Sequence, residues 1–165
     1  MRIYKGFIVW ALAIALILGT FLLFVNFGWP GQASECIYKS PDGCFCEAFD
    51  PAEVTSGAPG VRQPVNTWFN LYSLLSSFIV AFSVYTDRKQ IAGNPPPNQM
   101  RSQSWIPEVY IFAVLFLGLG SMWFHASLTQ WGNLIDGISM YVFAAFLGAY
   151  SLRRIWDSDT AFWIS

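Results

Sequence analysis

Long apolar runs separated by short polar ones set the organisation of this chain. The first run, from about Gly6 to Phe27, carries no charge. The second extends from about Pro64 to Thr86, the third from about Trp105 to Trp131, and the fourth from about Leu134 to Leu152. A helix needs about 20 apolar residues to cross a bilayer, and each run is near that length. Glu108 and Asp136 stand near the starts of the third and fourth. A last piece, Thr160-Ala-Phe-Trp-Ile-Ser165, reads as the opening of a fifth span. The pattern predicts an all-α membrane protein, a multi-pass helical bundle with about four transmembrane helices. Residues 1–28 form an N-terminal anchor, 29–63 a cysteine-containing loop, and 64–165 the bundle. A secretory signal has an apolar core of about 7–15 residues, so the longer first run predicts a retained anchor. Gly31-Gln32-Ala33 nevertheless offers a cleavage sequence.

Composition agrees. The 165 residues are 55% hydrophobic and 12% charged, with a mean hydropathy of +0.43. A soluble domain carries about 25% charged residues. The net charge of −1 supplies no basic field for nucleic acid, so the expected partners are the bilayer and its lipids. Aromatic content of 18% suits interfacial belts and packing within a bundle.

Basic residues orient the spans. Arg2 and Lys5, then Arg88, Lys89 and Arg101, then Arg153 and Arg154 fall on one side of an alternating chain. That side is expected to be cytoplasmic, with the N-terminus there. The opposite, exoplasmic side takes residues 28–63 and a tight turn at Thr129–Asn133. It also takes Cys36, Cys44 and Cys46, where disulfides are permitted. A disulfide is favoured over a metal site at Cys44-Phe-Cys46, but three cysteines leave one over and the pairing stays open. Asn94-Pro-Pro-Pro-Asn98 marks an extended cytoplasmic connector.

Polar residues within the spans gather at one depth. Asn66, Asn70 and Ser73 share a helical face early in span two. Ser121 and His125, four apart, share a face late in span three, and His125 is the only histidine. Asp136 is expected in the first turn of span four. With the orientation above, all six meet in the exoplasmic leaflet. Intramembrane polar groups need partners or line a wet cavity, so this layer is the candidate site. Each residue also has a simpler reading. His125, Asn66 and Asn70 could bridge helices, Asp136 could sit at an interfacial helix N-terminus, and Gly118 and Gly120 would let helices approach.

Gly118-Leu-Gly-Ser-Met-Trp-Phe-His-Ala-Ser-Leu-Thr129, continuing to Leu134-Ile-Asp-Gly-Ile-Ser-Met-Tyr141, resembles the alkaline ceramidase family. That family belongs to a superfamily of seven-helix membrane hydrolases, which includes the adiponectin and progestin receptors and the remodelling proteins of GPI anchors. Val65-Asn-Thr-Trp-Phe-Asn70 is similar to the Asn-Thr-x-x-Asn that opens the family's first core helix. The resemblance spans roughly Cys44 to Leu152. It implies a seven-helix-type bundle and an intramembrane zinc amidase acting on a ceramide-type lipid. By that resemblance His125 is a zinc ligand, and Asp136 is the general base that later returns the proton to the leaving amine. Ser121 helps hold the carbonyl oxygen as charge develops. Zinc makes a bound water acidic enough to supply hydroxide near neutrality.

The chain departs from the family in three ways. The family's C-terminal His-x3-His is absent, so the chain is expected to be an N-terminal portion of a longer protein or catalytically incomplete. The first apolar run has no counterpart before the family's first core helix. The family's calcium site is matched only in part. Glu47, in Phe45-Cys-Glu47, and Asp50 are candidate hard-cation ligands, but Phe49 and Gln63 stand where an Asn and a Glu would be. Calcium is therefore doubtful. The alternatives are a lipid esterase or receptor-like member of the same superfamily, or a membrane protein whose polar cluster only packs helices.

Overall fold

The computed structural model describes residues 2–39, 47–90, 105–156 and 158–164. Cys44, Cys46, the proline-rich connector and Arg101 lie outside them. Helix α1 is Arg2–Phe27, followed by short helices α2, Cys36–Lys39, and α3, Pro51–Thr55. Then come α4, Pro64–Phe69, α5, Leu71–Gln90, α6, Ile106–Ser127, α7, Gln130–Trp156, and α8, Asp159–Ile164. Extended pairing among the described residues is one isolated bridge, between Ala33 and Thr129. The chain is an all-α membrane helical bundle. Three segments are long and apolar enough to cross a membrane: Pro64–Asp87, Ile106–Ser127 and Gln130–Trp156. They match the second, third and fourth runs of the sequence. Within α1 the stretch Ile14–Phe27 is apolar.

Helix α6 is the central element, because its neighbours approach it at glycines. A Cβ on Gly118 would stand 2.9 Å from Ser73 Cβ and 3.3 Å from the Leu74 nitrogen, so α5 lies hard against α6. A Cβ on Gly120 would stand 3.0 Å from Ser139 Oγ, so α7 lies hard against the other side. Small residues at such contacts let backbones approach where lipid provides no hydrophobic drive. The α6–α7 pair is antiparallel. Gly132 meets Phe124 at the turn, Gly120 meets Ser139 further along, and Tyr110 meets Phe146 near the far end. At that far end Phe162 of α8 packs on Trp105 and Phe146, and Arg153 pairs with Asp159 at 2.7 Å. Thr160–Ile164 therefore folds as part of a short helix against α7.

Two details differ from the sequence expectation. The second run is interrupted at Asn70. There the Asn70 side-chain amide donates to the Asn66 carbonyl at 2.8 Å, the acceptor that its own backbone N–H would use in an unbroken helix. The α6–α7 turn is also tighter than Thr129–Asn133. Leu128 takes a left-handed conformation at φ 49°, and α7 begins at Gln130. Asp136 consequently lies in the second turn of its helix, not the first.

Residues 28–39 and 47–63, in the segment before α4, close one end of the bundle. Phe21 and Phe24 of α1, Trp29 of that segment and Trp123 of α6 pack edge to face with centroids 5.4 to 6.4 Å apart. Trp29 Nε1 donates to the Gly60 carbonyl at 2.7 Å. A second apolar group joins Ile37, Phe49 and Val54 of the segment to Phe124 of α6 and to Leu128 just after it. Cys36 is disulfide-bonded.

The glycine contacts yield a paired prediction. Gly118→Ala forces α5 and α6 apart and should cost about 1–3 kcal/mol, the range for overpacking. Gly148→Ala meets nothing within 4 Å and should be neutral or gain up to about 1 kcal/mol from helix propensity. Unfolding in detergent micelles measures both, and equal effects would contradict the packing described.

Candidate functional site

The site forms where the C-terminal end of α6 meets the N-terminal ends of α4 and α7. The last carbonyls of a helix lack intrahelical donors and need others. Here the preceding segments supply them. Gln63 N–H donates to the His125 carbonyl at 3.0 Å, Arg62 N–H to Ala126 at 3.1 Å, and Ser34 N–H to Leu128 at 2.8 Å. These bonds fix residues 33–34 and 62–63 against the end of α6.

The turn into α7 is built from side chains as well. Thr129 is the N-cap: its Oγ1 accepts the Gly132 N–H at 3.1 Å and meets Ser127 Oγ at 3.0 Å. Gly132 is required by proximity, since a Cβ would stand 2.8 Å from Ser127 Oγ. This cap sets the phase of α7 and turns Asp136 inward, 7% exposed, towards α6.

Ser121, His125 and Asp136 converge. Ser121 hydrogen-bonds the Asp136 carboxylate, and His125 and Asp136 lie within electrostatic reach of each other. His125 is 9% exposed, with its ring against Phe124. Asp136 Oδ1 is buried and has no hydrogen-bond partner among the described residues. The three residues from two facing helices thus form one polar cluster.

The other expected site residues are placed differently. Ser73 and the Asn70 carbonyl lie against Gly118, at the α5–α6 contact. The Asn70 side chain bonds within its own helix, so these two serve helix packing and the break in span two. Asn66 is half-buried and gives its backbone N–H to Glu47 Oε2 at 2.8 Å. Glu47 Oε1 accepts the Val65 N–H at 2.8 Å. The Glu47 carboxylate therefore serves as the anionic cap of α4, where the helix dipole favours it. Asp50 is exposed and caps α3 through the Ala52 N–H at 2.8 Å.

Gln63 is the residue that sequence reasoning passed over as a mere replacement for a Glu. It is fully buried. Its Oε1 lies 2.7 Å from His125 Nδ1, and its Nε2 donates to the Glu47 carbonyl at 2.8 Å. The signal was its position just before Pro64, where a polar residue flanks a helix start. Thr67, one turn further on the same face, is also fully buried, and its Oγ1 has no hydrogen-bond partner among the described residues.

The cap at Thr129 can be tested. Thr129→Val keeps shape and removes the oxygen, and should destabilise the protein by about 0.5–2 kcal/mol. Thermal unfolding in detergent reads the loss, and an unchanged midpoint would show that packing alone sets the turn. Set beside protein-family models, curated proteins and solved structures, the chain matches none of them.

Proposed function

We infer that this chain is an intramembrane zinc-dependent hydrolase that cleaves the amide of a ceramide-type lipid, releasing a fatty acid and a sphingoid base. The observation that carries the hydrolytic reading is the setting of Asp136. A buried carboxylate oxygen without a donor is costly in a membrane protein unless it has a task. Here it stands beside the only histidine and a hydroxyl, on two helices locked together by glycine contacts. The lipid class is supported by the resemblance of Gly118–Thr129 and Leu134–Tyr141 to alkaline ceramidases. A substrate that stays in the bilayer suits a polar cluster at membrane depth.

His125 fits as one zinc ligand, because its imidazole is buried within the polar layer and held from behind by Gln63. No group of three His, Cys, Asp or Glu residues that could hold a metal occurs among the described residues. The two further histidines that the resemblance implies are not supplied by this sequence. When bound, zinc would supply an activated water and a Lewis acid for the amide carbonyl. Asp136 Oδ1 is the atom that can take the proton of the attacking water and return it to the leaving nitrogen. Ser121, one turn before His125 on the same face, can donate to the carbonyl oxygen as it becomes an oxyanion. The residues considered for calcium have other partners among the described residues. Both Glu47 oxygens accept backbone N–H groups, Asp50 caps α3, and Phe49 is packed in an apolar cluster.

The test is hydrolysis of a fluorescent short-chain ceramide by the protein in lipid nanodiscs, with bound zinc measured on the same samples. His125→Ala should remove zinc and hydrolysis together. Asp136→Asn should keep zinc and lower turnover by about 10²-fold or more, the usual worth of a positioned acid–base group. Hydrolysis that survives His125→Ala would sink the metal mechanism. An Asp136→Asn protein working at full rate would reduce the cluster to helix packing. Preferential cleavage of a glycerolipid ester would reassign the lipid and leave the chemistry.

A further inference from the structure

We propose that Gln63 is a positioning residue that holds His125 in a single tautomer, with the proton on Nδ1 and the lone pair on Nε2. This role deepens the zinc-hydrolase reading and rests on it for its purpose. Its geometry stands without zinc.

The two ends of the Gln63 carboxamide are told apart by their partners. The Glu47 carbonyl can only accept, so the group 2.8 Å from it is the Gln63 NH₂. The carboxamide oxygen then faces His125 Nδ1 at 2.7 Å. A carboxamide oxygen can only accept, so Nδ1 is the donor. In neutral imidazole the other nitrogen then carries the lone pair. In water the opposite tautomer is preferred, so the protein has to impose this one. A ligating histidine needs this arrangement, in which one ring nitrogen donates to an oriented acceptor and the other is left basic.

Gln63 is itself held in place. Its backbone N–H bonds the His125 carbonyl at 3.0 Å, so main chain and side chain grip the same residue. Glu47 is anchored through the Val65 and Asn66 N–H groups, and its carbonyl in turn anchors the Gln63 NH₂. Gln63 is fully buried, so water does not compete for its amide. The chain of contacts runs from the cap of α4 through Gln63 to the ring of His125. A residue that only filled space here would leave the ring free to take either tautomer.

Because His125 is the only histidine, labelling histidine with nitrogen-15 yields the spectrum of one ring. The sample is the protein in nanodiscs, treated with chelator at about pH 8, where histidine is ordinarily neutral. The wild-type ring should show a proton on Nδ1 and an unprotonated Nε2. Gln63→Met removes the acceptor at similar size and should move the proton wholly or partly to Nε2. It should also weaken zinc binding by about 10- to 100-fold, as loss of a supporting hydrogen bond does. Gln63→Glu retains an acceptor and should keep the Nδ1 proton. A wild-type ring protonated on Nε2, or on both nitrogens, overturns the role, and so does a Gln63→Met ring that keeps Nδ1–H in full. If Gln63→Met fails to fold, the wild-type spectrum alone decides. Adding zinc to the wild type separates the two readings. An Nε2 resonance that does not move on zinc addition defeats the zinc-hydrolase reading, while the chelated spectrum still judges Gln63.

Discussion

The structure depends on how the C-terminal end of α6 is satisfied. The last carbonyls of a helix have no donors within the helix, and where they are buried other groups must supply them. Three backbone N–H groups from the segment before α4 take the carbonyls of His125, Ala126 and Leu128. The same bonds that terminate the helix bring Gln63 to His125 and hold the Cys36 region against the α6–α7 turn. Helix termination and site construction are therefore one event in this fold. The aromatic cluster of Phe21, Phe24, Trp29 and Trp123 seals the adjoining flank and ties α1 to the same end.

Around that anchor the polar residues divide by duty. Ser121, His125 and Asp136 face one another across α6 and α7. Asn70 and Ser73 attend to the α5–α6 contact. Glu47 and Asp50 act as helix caps, accepting backbone amides at the starts of α4 and α3. The division follows from position. Glu47 and Asp50 sit where helix N-termini favour negative charge, whereas Asp136 is buried between two helices.

Much of this was legible in the sequence, for identifiable reasons. Spans two to four could be read because uninterrupted apolar runs have no other stable fate. Gly118 and Gly120 announced close helix contacts, and the structure places one against α5 and the other against α7. The convergence of Ser121, His125 and Asp136 followed from helical spacing and alternating span direction. The turn was misplaced because Gln130-Trp-Gly-Asn133 carries loop-like residues, whereas the Thr129 cap lets all four continue as helix. Gln63 was missed because its partners lie 16 and 62 residues away, a separation no local pattern records. The placement of residues 33–34 and 62–63 was illegible for the same cause, since it rests on backbone bonds to the end of α6 that do not depend on side-chain identity.

The two-residue turn at Leu128–Thr129 also limits how far α6 and α7 can slide past each other. With so little chain between them, the end of one helix and the start of the next move as one piece. The register of Asp136 against Ser121 and His125 is thus tied to the length of the turn, and a residue inserted there would rotate Asp136 away from its neighbours.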